Sequence, residues 1–252
     1  MKYAVITGVS KGLGESIAEY LLESGVHVIG ISRTGSTKLN KQAKSNNVTF
    51  THFPCDLSNA TEIENTYKEI SEEVFTESLS TIYLVNNAAV LEPINPSMNI
   101  KSKDLAYHMQ VNTVAPMILT NLFLKVATEK DVSMIGVTVT SGAAERPVYG
   151  WSAYCSSKAS INRYTETVAL EQDELKTGHK LIAFNPGVMD TEMQEKIRST
   201  SQYSFIDVDT FKDYKKNNFL KDTVTVAGIL VDILTDERSI KNGEIYNAND
   251  YF

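Results

Sequence analysis

The sequence is poor in cysteine, in basic charge and in long hydrophobic runs. Its 252 residues include only Cys55 and Cys155, too few for a disulfide framework or a zinc cluster, so a reducing environment is expected. The 24 basic residues are outnumbered by 31 acidic ones, which argues against a nucleic-acid partner. No run approaches about 18 consecutive apolar residues, which argues against a membrane-spanning segment.

Targeting and metal-binding signals are also lacking. The apolar run after Met1 ends in a glycine cluster, without the long apolar core and cleavage site of a signal peptide. The histidines are scattered without ligand spacing, so no metal site is predicted. These features predict a cytoplasmic protein with no metal and no membrane partner.

Short β-rich runs alternate with longer helical patterns along the chain. The predicted strands are Tyr3–Thr7, Val26–Ile31, Val48–Phe53, Ile82–Val85, Ser133–Val139, Leu181–Phe184 and Glu244–Tyr246. The predicted helices are Leu13–Glu23, Thr61–Phe75, Leu105–Ala127, Ser152–Leu175 and Val224–Leu234. This alternation indicates parallel βαβ units with helices on both faces of one sheet. Without repeats or Pro/Gly-rich linkers, residues 1–252 are predicted to form a single α/β domain.

Residues 187–220 are rich in Ser, Thr, Asp and Lys and show little hydrophobic periodicity. They follow the sixth predicted strand, at the carboxyl edge of the sheet, where ligands bind in such folds. We therefore predict a substrate lid in this segment. A solvated surface excursion is the alternative.

The first predicted strand runs into the glycine-rich loop TGVSKGLG, Thr7–Gly14. Glycines allow a tight turn and the close approach of a phosphate, and a helix N-terminus supplies N–H groups and a positive dipole. The spacing TGxxxGxG differs from the GxGxxG of other dinucleotide folds. The residues predicted to bind the cofactor here are Gly8, Ser10, Lys11, Gly12, Leu13 and Gly14.

The end of the second strand discriminates between the nicotinamide dinucleotides. NAD-binding folds usually carry Asp or Glu about 20 residues after the loop, to bind the ribose hydroxyls. The sequence instead reads Ile31-Ser32-Arg33. Arg33 can grip a 2′-phosphate, Ser32 can donate to it, and Lys11 adds positive charge. NADP(H) is therefore the predicted cofactor, and a solvated arginine is the alternative.

Two further strand ends carry candidate cofactor contacts. Asp56 and Leu57 follow the third strand, where Asp56 can accept from an adenine amino group. Asn87 and Ala88 follow the fourth strand and would line the cofactor ribose. Either pair can instead form a turn through side-chain-to-backbone hydrogen bonds.

A candidate catalytic group follows the fifth strand. Ser141 ends that strand, and Tyr154 and Lys158 lie four residues apart, so they share one helix face. A nearby ammonium group favours the phenolate and lowers the tyrosine pKa toward the working range. Ser141 can hydrogen-bond a substrate carbonyl oxygen. Taken singly, each of the three residues can have a purely structural role.

The fixed order of these motifs resembles the short-chain dehydrogenase/reductase family over nearly the whole chain. The matching residues are Thr7–Gly14, Asn86–Ala89, Asn112, Ser141, Tyr154–Lys158 and Asn185–Gly187. The resemblance implies a doubly wound (Rossmann), seven-stranded parallel sheet and hydride transfer between a nicotinamide and a carbonyl carbon. One departure is that the family's Asn-Asn-Ala-Gly ends here in Ala89, which places a methyl group in that turn.

The resemblance also implies catalytic roles. Tyr154 protonates the carbonyl oxygen, and Lys158 holds the nicotinamide ribose and lowers the Tyr154 pKa. Ser141 orients the substrate, and Asn112 keeps a proton-relay water. Family members often pair through the helices that carry Asn112 and Tyr154, which implies a homodimer or homotetramer.

Two segments, Gly150–Cys155 and Pro186–Gln194, are similar to the benzil reductases of this family that form (S)-benzoin. That likeness implies NADPH-dependent reduction of one carbonyl of an aromatic 1,2-diketone. The tail Tyr246–Asp250 is similar to that of sepiapterin reductases, in which an acidic residue at the position of Asp250 anchors the pterin. A pteridine reductase is therefore the alternative enzyme. A catalytically silent dinucleotide-binding sensor is the alternative outside enzymes.

The expected walls of the substrate pocket flank the tyrosine and follow Gly187. Large apolar or aromatic side chains there suit a flat, ring-bearing substrate. Trp151 can equally pack in the core, Met189 and Met193 can form a core-facing helix stripe, and Asp250 can be a solvated charge. The predicted substrate residues are Tyr149, Trp151, Met189, Met193 and Asp250, with Val188 and Thr191 at the nicotinamide end.

Overall fold

A parallel sheet of seven strands forms the centre of the structure, a computed structural model that describes residues 1–252. The strands are β1 Lys2–Thr7, β2 His27–Ser32, β3 Phe50–Pro54, β4 Thr81–Asn86, β5 Ser133–Val139, β6 Lys180–Asn185 and β7 Ile245–Asn247. Their order across the sheet is β3-β2-β1-β4-β5-β6-β7. Since the order reverses between β1 and β4, the carboxyl ends of these strands border the crevice where ligands bind. The predicted doubly wound α/β fold is confirmed.

Helices cover both faces of the sheet, so the central strands are buried on both sides. The helices are α1 Gly12–Glu23, α2 Thr37–Ser45, α3 Ala60–Val74, α4 Ser102–Met109, α5 Ala115–Glu129, α6 Ser152–Leu175, α7 Glu192–Ser199, α8 Val208–Lys216 and α9 Thr223–Thr235. Leucines and isoleucines of α1, α2 and α9 fill one core, and apolar residues of α3, α5 and α6 fill the other.

One helical segment, Ser102–Glu129, is long and apolar enough to cross a membrane by length and composition. It joins α4 to α5 through a π-helical turn at Gln110–Val114. Within its most apolar window 61% of the residues are buried, and Leu119 and Phe123 pack against the sheet. The apolar sequence of this segment is therefore that of a helix packed in the core.

The segment 187–220 is more ordered than its weak periodicity predicts. It contains α7 and α8, which enclose a third hydrophobic cluster around Trp151. The Trp151 ring stacks on Phe205 with the ring centroids 4.7 Å apart and meets Phe211 edge-on at 5.6 Å. The alternative of a solvated excursion is therefore wrong. The role of the segment as a substrate lid stays a prediction.

Gly150 permits this packing. Its φ is +83°, a conformation that other residues rarely adopt, and a Cβ there would overlap the carbonyl oxygen of Ser204. The loop before α6 and the backbone at Ser204 can therefore approach each other closely.

We expect Phe205→Ala to lower the free energy of unfolding by about 3–5 kcal/mol, because the Phe205 ring is fully buried against Trp151. Denaturant unfolding measures the change. Phe219→Ala is the matched control, since that ring lies in the same segment but is 66% exposed, and we expect a change of less than about 0.5 kcal/mol. Equal effects of the two substitutions would contradict the packed arrangement of residues 187–220.

Candidate active site

The glycine-rich loop lies between the carboxyl end of β1 and the first turn of α1. Gly8 and Gly12 have φ of +75° and +63°. A Cβ at Gly12 would meet nothing within 4 Å, so the backbone there faces open space. Lys11 precedes the helix without a side-chain cap, which leaves the first N–H groups of α1 to a ligand. An open cradle at an uncapped helix N-terminus fits the diphosphate of a dinucleotide.

Asn87 joins the end of β4 to this loop. Its Nδ2 donates to the carbonyl oxygens of Thr7 at 3.0 Å and Gly8 at 3.3 Å. The backbone N–H groups of Asn87 and Ala88 both donate to Thr7 Oγ1 at 3.0 Å. The amide of Asn87 thus has the turn-forming role given as the alternative, and contact of Asn87 and Ala88 with a ribose stays a prediction.

Positive charge lies where a 2′-phosphate is predicted. Arg33 is exposed at the end of β2 and makes no ion pair, so its guanidinium is free to bind an anion. Lys11 is paired with the carboxylate of Glu192 at the start of α7. Ser32 donates its hydroxyl to the Thr34 carbonyl at 2.8 Å, so a bond to phosphate requires that hydroxyl to change partner.

The remaining cofactor candidates are placed along the same edge. Ser10 is half-buried in the glycine-rich loop and Leu13 is buried in the first turn of α1. Asp56 is exposed after β3, and its Oδ1 accepts from the backbone N–H of Ser58 at 2.9 Å, which leaves the second oxygen free. Leu57 beside it is buried in the core. Contact of these residues with a dinucleotide stays a prediction.

Ser141, Tyr154 and Lys158 meet where β5 and α6 come together. Ser141 caps a short 3₁₀ turn, and its Oγ accepts from the Ala143 N–H at 3.2 Å. Tyr154 and Lys158 are 7% and 4% exposed, one turn apart on α6. Lys158 Nζ donates to the Val139 carbonyl at 2.8 Å and lies 5.7 Å from the centre of the Tyr154 ring.

Burial dominates the protonation of this group. It raises the pKa of Tyr154 to about 12, although a hydrogen bond with the Ser141 hydroxyl opposes the shift. Burial also lowers the pKa of Lys158 to about 8. The expected lowering of the Tyr154 pKa by Lys158 is not found, since burial dominates at Tyr154. At neutral pH Tyr154 therefore holds its proton, which is the form that can protonate a carbonyl oxygen.

Asn112 lies in the π-helical turn between α4 and α5, a feature that often marks functional sites. Its Nδ2 donates to the Val90 carbonyl at 2.7 Å, and its Oδ1 accepts from the Val90 N–H at 2.8 Å. The two bonds fix the orientation of the amide. Asn112 is 3% exposed, and its two bonds to Val90 attach it to the segment that follows β4.

The predicted substrate residues do not all line an open wall. Trp151 is 6% exposed, stacked on Phe205 and 5.4 Å from the Tyr154 ring centroid, so core packing is its observed role. Met189 precedes α7 and bridges to Lys221 as a short parallel strand, whereas Met193 lies within α7. The alternative of one helix stripe is therefore wrong, since the two methionines pack against different clusters.

Other predicted pocket residues are accessible. Tyr149 is 48% and Val188 is 37% exposed. Thr191 caps α7, with Oγ1 accepting from the Gln194 N–H at 3.4 Å. Asp250 is exposed in a terminal 3₁₀ turn and makes no ion pair. Contact of these residues with substrate or nicotinamide stays a prediction.

Sequence reasoning missed His108, Phe205 and Phe211. His108 precedes Asn112 by four residues, so the spacing places both on one helix face. Val208 and Phe211 are three residues apart, a weak sign of the buried face of α8. Phe205 lies outside any helix, and only the folded chain brings it to Trp151.

A Ser-Tyr-Lys group after β5 and a glycine-rich loop after β1, both at the carboxyl edge of a doubly wound parallel sheet, are typical of a dinucleotide-dependent oxidoreductase. The profile described as short chain dehydrogenase matches residues 2–202. The chain belongs to this family and is an oxidoreductase.

Two similar relatives span the full chain. They are benzil reductases ((S)-benzoin forming) from Bacillus cereus and from Bacillus subtilis (strain 168), each 36% identical. The alignments cover 99% and 100% of this chain and 100% of each relative. A solved short chain dehydrogenase/reductase from Saccharomyces cerevisiae superposes with a TM-score of 0.82 at 26% identity, covering 99% of this chain and 97% of that one.

We expect the stability contributed at Lys158 to depend on pH. The unfolded lysine has a pKa of 10.5 and the folded one about 8, so between these values the unfolded chain binds more protons. The free energy of unfolding therefore rises with pH through this window, by up to about 3 kcal/mol.

Denaturant unfolding of the wild type and of Lys158→Met at about pH 7 and about pH 10 measures this effect. The variant lacks the titrating group but keeps every tyrosine and cysteine, so the difference between the two proteins isolates Lys158. The stability of the wild type should improve relative to the variant as pH rises. Parallel pH dependences would show that the lysine is not buried as described.

Proposed function

We propose that the protein is an NADPH-dependent carbonyl reductase that reduces one carbonyl of an aromatic 1,2-diketone, as in the conversion of benzil to (S)-benzoin. The observation that carries the proposal is the placement of Ser141, Tyr154 and Lys158 together at the carboxyl edge of the sheet, beside the glycine-rich loop. The overall change converts C=O, NADPH and a proton into CH–OH and NADP⁺.

The chain's own residues handle the substrate oxygen and its proton. A bound reduced nicotinamide supplies the hydride to the carbonyl carbon. Ser141 donates a hydrogen bond to the carbonyl oxygen, and Tyr154 gives that oxygen its phenolic proton. Lys158, one turn further along α6, would hold the ribose of the nicotinamide. Asn112 holds a water through which solvent returns the proton.

The preference for NADPH rests on charge at the end of β2. No carboxylate occupies Ile31–Arg33, and the Arg33 guanidinium is unpaired. Lys11 supplies a second cation once the cofactor phosphate competes with Glu192 for it. Two cations and no acid favour a 2′-phosphate over a free ribose hydroxyl.

The diketone substrate is supported by the full-length likeness to the two benzil reductases. Accessible Tyr149 and Val188 and half-buried Met193 offer an apolar surface to aromatic rings near the catalytic group. Asp250 is accessible and unpaired, so it is free to bind a pterin, and a pterin is therefore the second candidate substrate.

We further propose a cytoplasmic homodimer or homotetramer. Leu105 of α4 and Leu170 of α6 are 41% and 61% exposed, and these helices are the ones through which family members often pair. The acidic net charge of −7 disfavours binding to nucleic acid and to anionic membranes.

We expect NADPH oxidation to be faster with benzil than with sepiapterin. We also expect Tyr154→Phe to lower kcat by about 10²–10⁴-fold, because the variant lacks the phenolic proton donor. Absorbance of the reduced nicotinamide measures both. Tyr164→Phe is the matched control, because Tyr164 is also a tyrosine of α6 but donates to Asn121 of α5 at 2.7 Å. Unchanged turnover in Tyr154→Phe would contradict the catalytic assignment. Faster turnover of sepiapterin would favour the pteridine reductase, and inactivity toward every carbonyl would favour the sensor.

We expect Arg33→Ala to lower kcat/KM for NADPH by about 10–100-fold, since it removes a charged hydrogen bond to phosphate. kcat/KM for NADH should be little changed, because NADH has no 2′-phosphate. Lys44→Ala, a surface cation on nearby α2, is the control. Equal losses with both cofactors would contradict the role of Arg33 in selecting NADPH.

A further inference from the structure

His108 is completely buried between the segment that follows β4 and the catalytic turn of α6. Its Nδ1 lies 2.7 Å from the Glu92 carbonyl oxygen. Its Nε2 lies 3.0 Å from Asn112 Nδ2 and 3.1 Å from Ser157 Oγ. The imidazole thus contacts both the Asn112 amide and the α6 turn between Tyr154 and Lys158.

The contacts of His108 define its tautomer. A carbonyl oxygen can only accept, so Nδ1 must carry a proton to bond Glu92. The bonds of Asn112 to the Val90 backbone identify which amide atom is Nδ2, and that nitrogen can only donate. Nε2 must therefore accept from Asn112, which requires a neutral ring protonated on Nδ1.

Ser157 extends the contact to the catalytic tyrosine. It is fully buried, and its single hydroxyl proton can be donated either to the Tyr154 carbonyl at 2.9 Å or to His108 Nε2 at 3.1 Å. The rings of His108 and Tyr154 also meet edge-on, with the centroids 6.1 Å apart. Through these contacts the imidazole spans from the π-helical turn to the start of α6.

We propose that His108, as the neutral Nδ1–H tautomer, is a positioning residue that holds Asn112 and the Tyr154 turn of α6 in their catalytic arrangement. It touches neither the carbonyl substrate nor the dinucleotide in this role. The kinetic part of this inference rests on the proposed reductase function, whereas the tautomer does not.

Protonation of His108 would disrupt the arrangement. A proton on Nε2 would point toward the N–H groups of Asn112 only 3.0 Å away, and the ring would instead donate to Ser157. The Asn112 amide would then lose its acceptor while two donors faced each other. The catalytic arrangement is thus present above the pKa of His108 and lost as pH falls through it.

The surroundings keep the ring neutral near pH 7. Burial and the positive charge of Lys158 on α6 lower the pKa of His108 from 6.5, while the Glu92 carbonyl and carboxylate act in the opposite direction. The Glu92 carboxylate is paired with Lys196 of α7 at 2.7 Å, which limits its effect on the ring. Tyr154 is the remaining titratable group that faces His108, and it is neutral at this pH.

His179 provides an internal comparison at the opposite end of the sheet. It is also buried, but its Nδ1 accepts from the Met134 N–H at 3.3 Å, so its proton lies on Nε2, which donates to Thr128 Oγ1 at 3.0 Å. Two buried neutral histidines thus carry opposite tautomers. Nitrogen chemical shifts distinguish these tautomers directly.

The first experiment is NMR of ¹⁵N-histidine-labelled protein without ligand, from about pH 5 to about pH 8. We expect His108 with the proton on Nδ1 and His179 with the proton on Nε2, assigned with His108→Gln and His179→Gln. The Asn112 side-chain NH₂ resonance should shift as His108 titrates. An Nε2–H or charged His108 at pH 7 would overturn the proposal even if no substrate is known.

The second experiment compares kcat for His108→Gln and His108→Phe. Gln can present an acceptor oxygen at the Nε2 position, so it should keep most of the activity, whereas Phe should lower kcat by about tenfold or more, as misplacement of a catalytic group does. KM for NADPH should be unchanged. In His108→Gln the loss of activity on the acid side of the pH profile should move to lower pH.

His179→Gln should leave kcat and its pH dependence unchanged, since it lies far from the carboxyl edge. If a thermal melt shows that His108→Phe does not fold, the His108→Gln variant and the NMR titration still test the positioning role. Equal kcat values for the wild type and a folded His108→Phe would overturn the positioning role. If His108 carries its proton on Nδ1 as expected but the protein turns over no carbonyl compound, the proposed substrate would be contradicted and the tautomer would not.

Discussion

The segment that follows β4 is the constraint on which both halves of the site depend. Asn87 and Ala88 bond Thr7 and so hold the glycine-rich loop at the end of β1. A few residues later, the Val90 backbone hydrogen-bonds the Asn112 amide, and the Glu92 carbonyl accepts a hydrogen bond from His108. One short stretch of backbone therefore sets the cofactor cradle and the catalytic group relative to each other.

Burial then determines the protonation states that the reaction uses. Tyr154 packs in the Trp151 cluster and Lys158 is buried one turn further along α6, so burial favours the neutral form of each. Tyr154 keeps its proton for donation, and Lys158 has a pKa of about 8, close to neutrality. A charged amine held in such a place lowers stability, which is a common property of functional groups.

Much of the fold was readable from pattern. Strands β1, β2, β4, β5 and β6 are short apolar runs, and α1, α3 and α6 have clear helical spacing. The helices α2, α7 and α8 were missed because they are short and mostly polar. Their buried faces consist of a few side chains, such as Leu39 on α2 and Phe211 on α8, whose partners are distant in sequence.

The sequence by itself determined the family and the order in which the motif-bearing strands follow one another. It also identified Ser141, Tyr154, Lys158 and Asn112 as candidates, because the spacing of motifs can be read from the sequence alone. Tertiary structure alone decided the contacts. It buried Trp151 in a cluster, turned the Lys158 ammonium to Val139 and placed His108 between Asn112 and Ser157. Desolvation and hydrogen-bond geometry depend on which distant residues surround a group, and linear spacing does not contain that information.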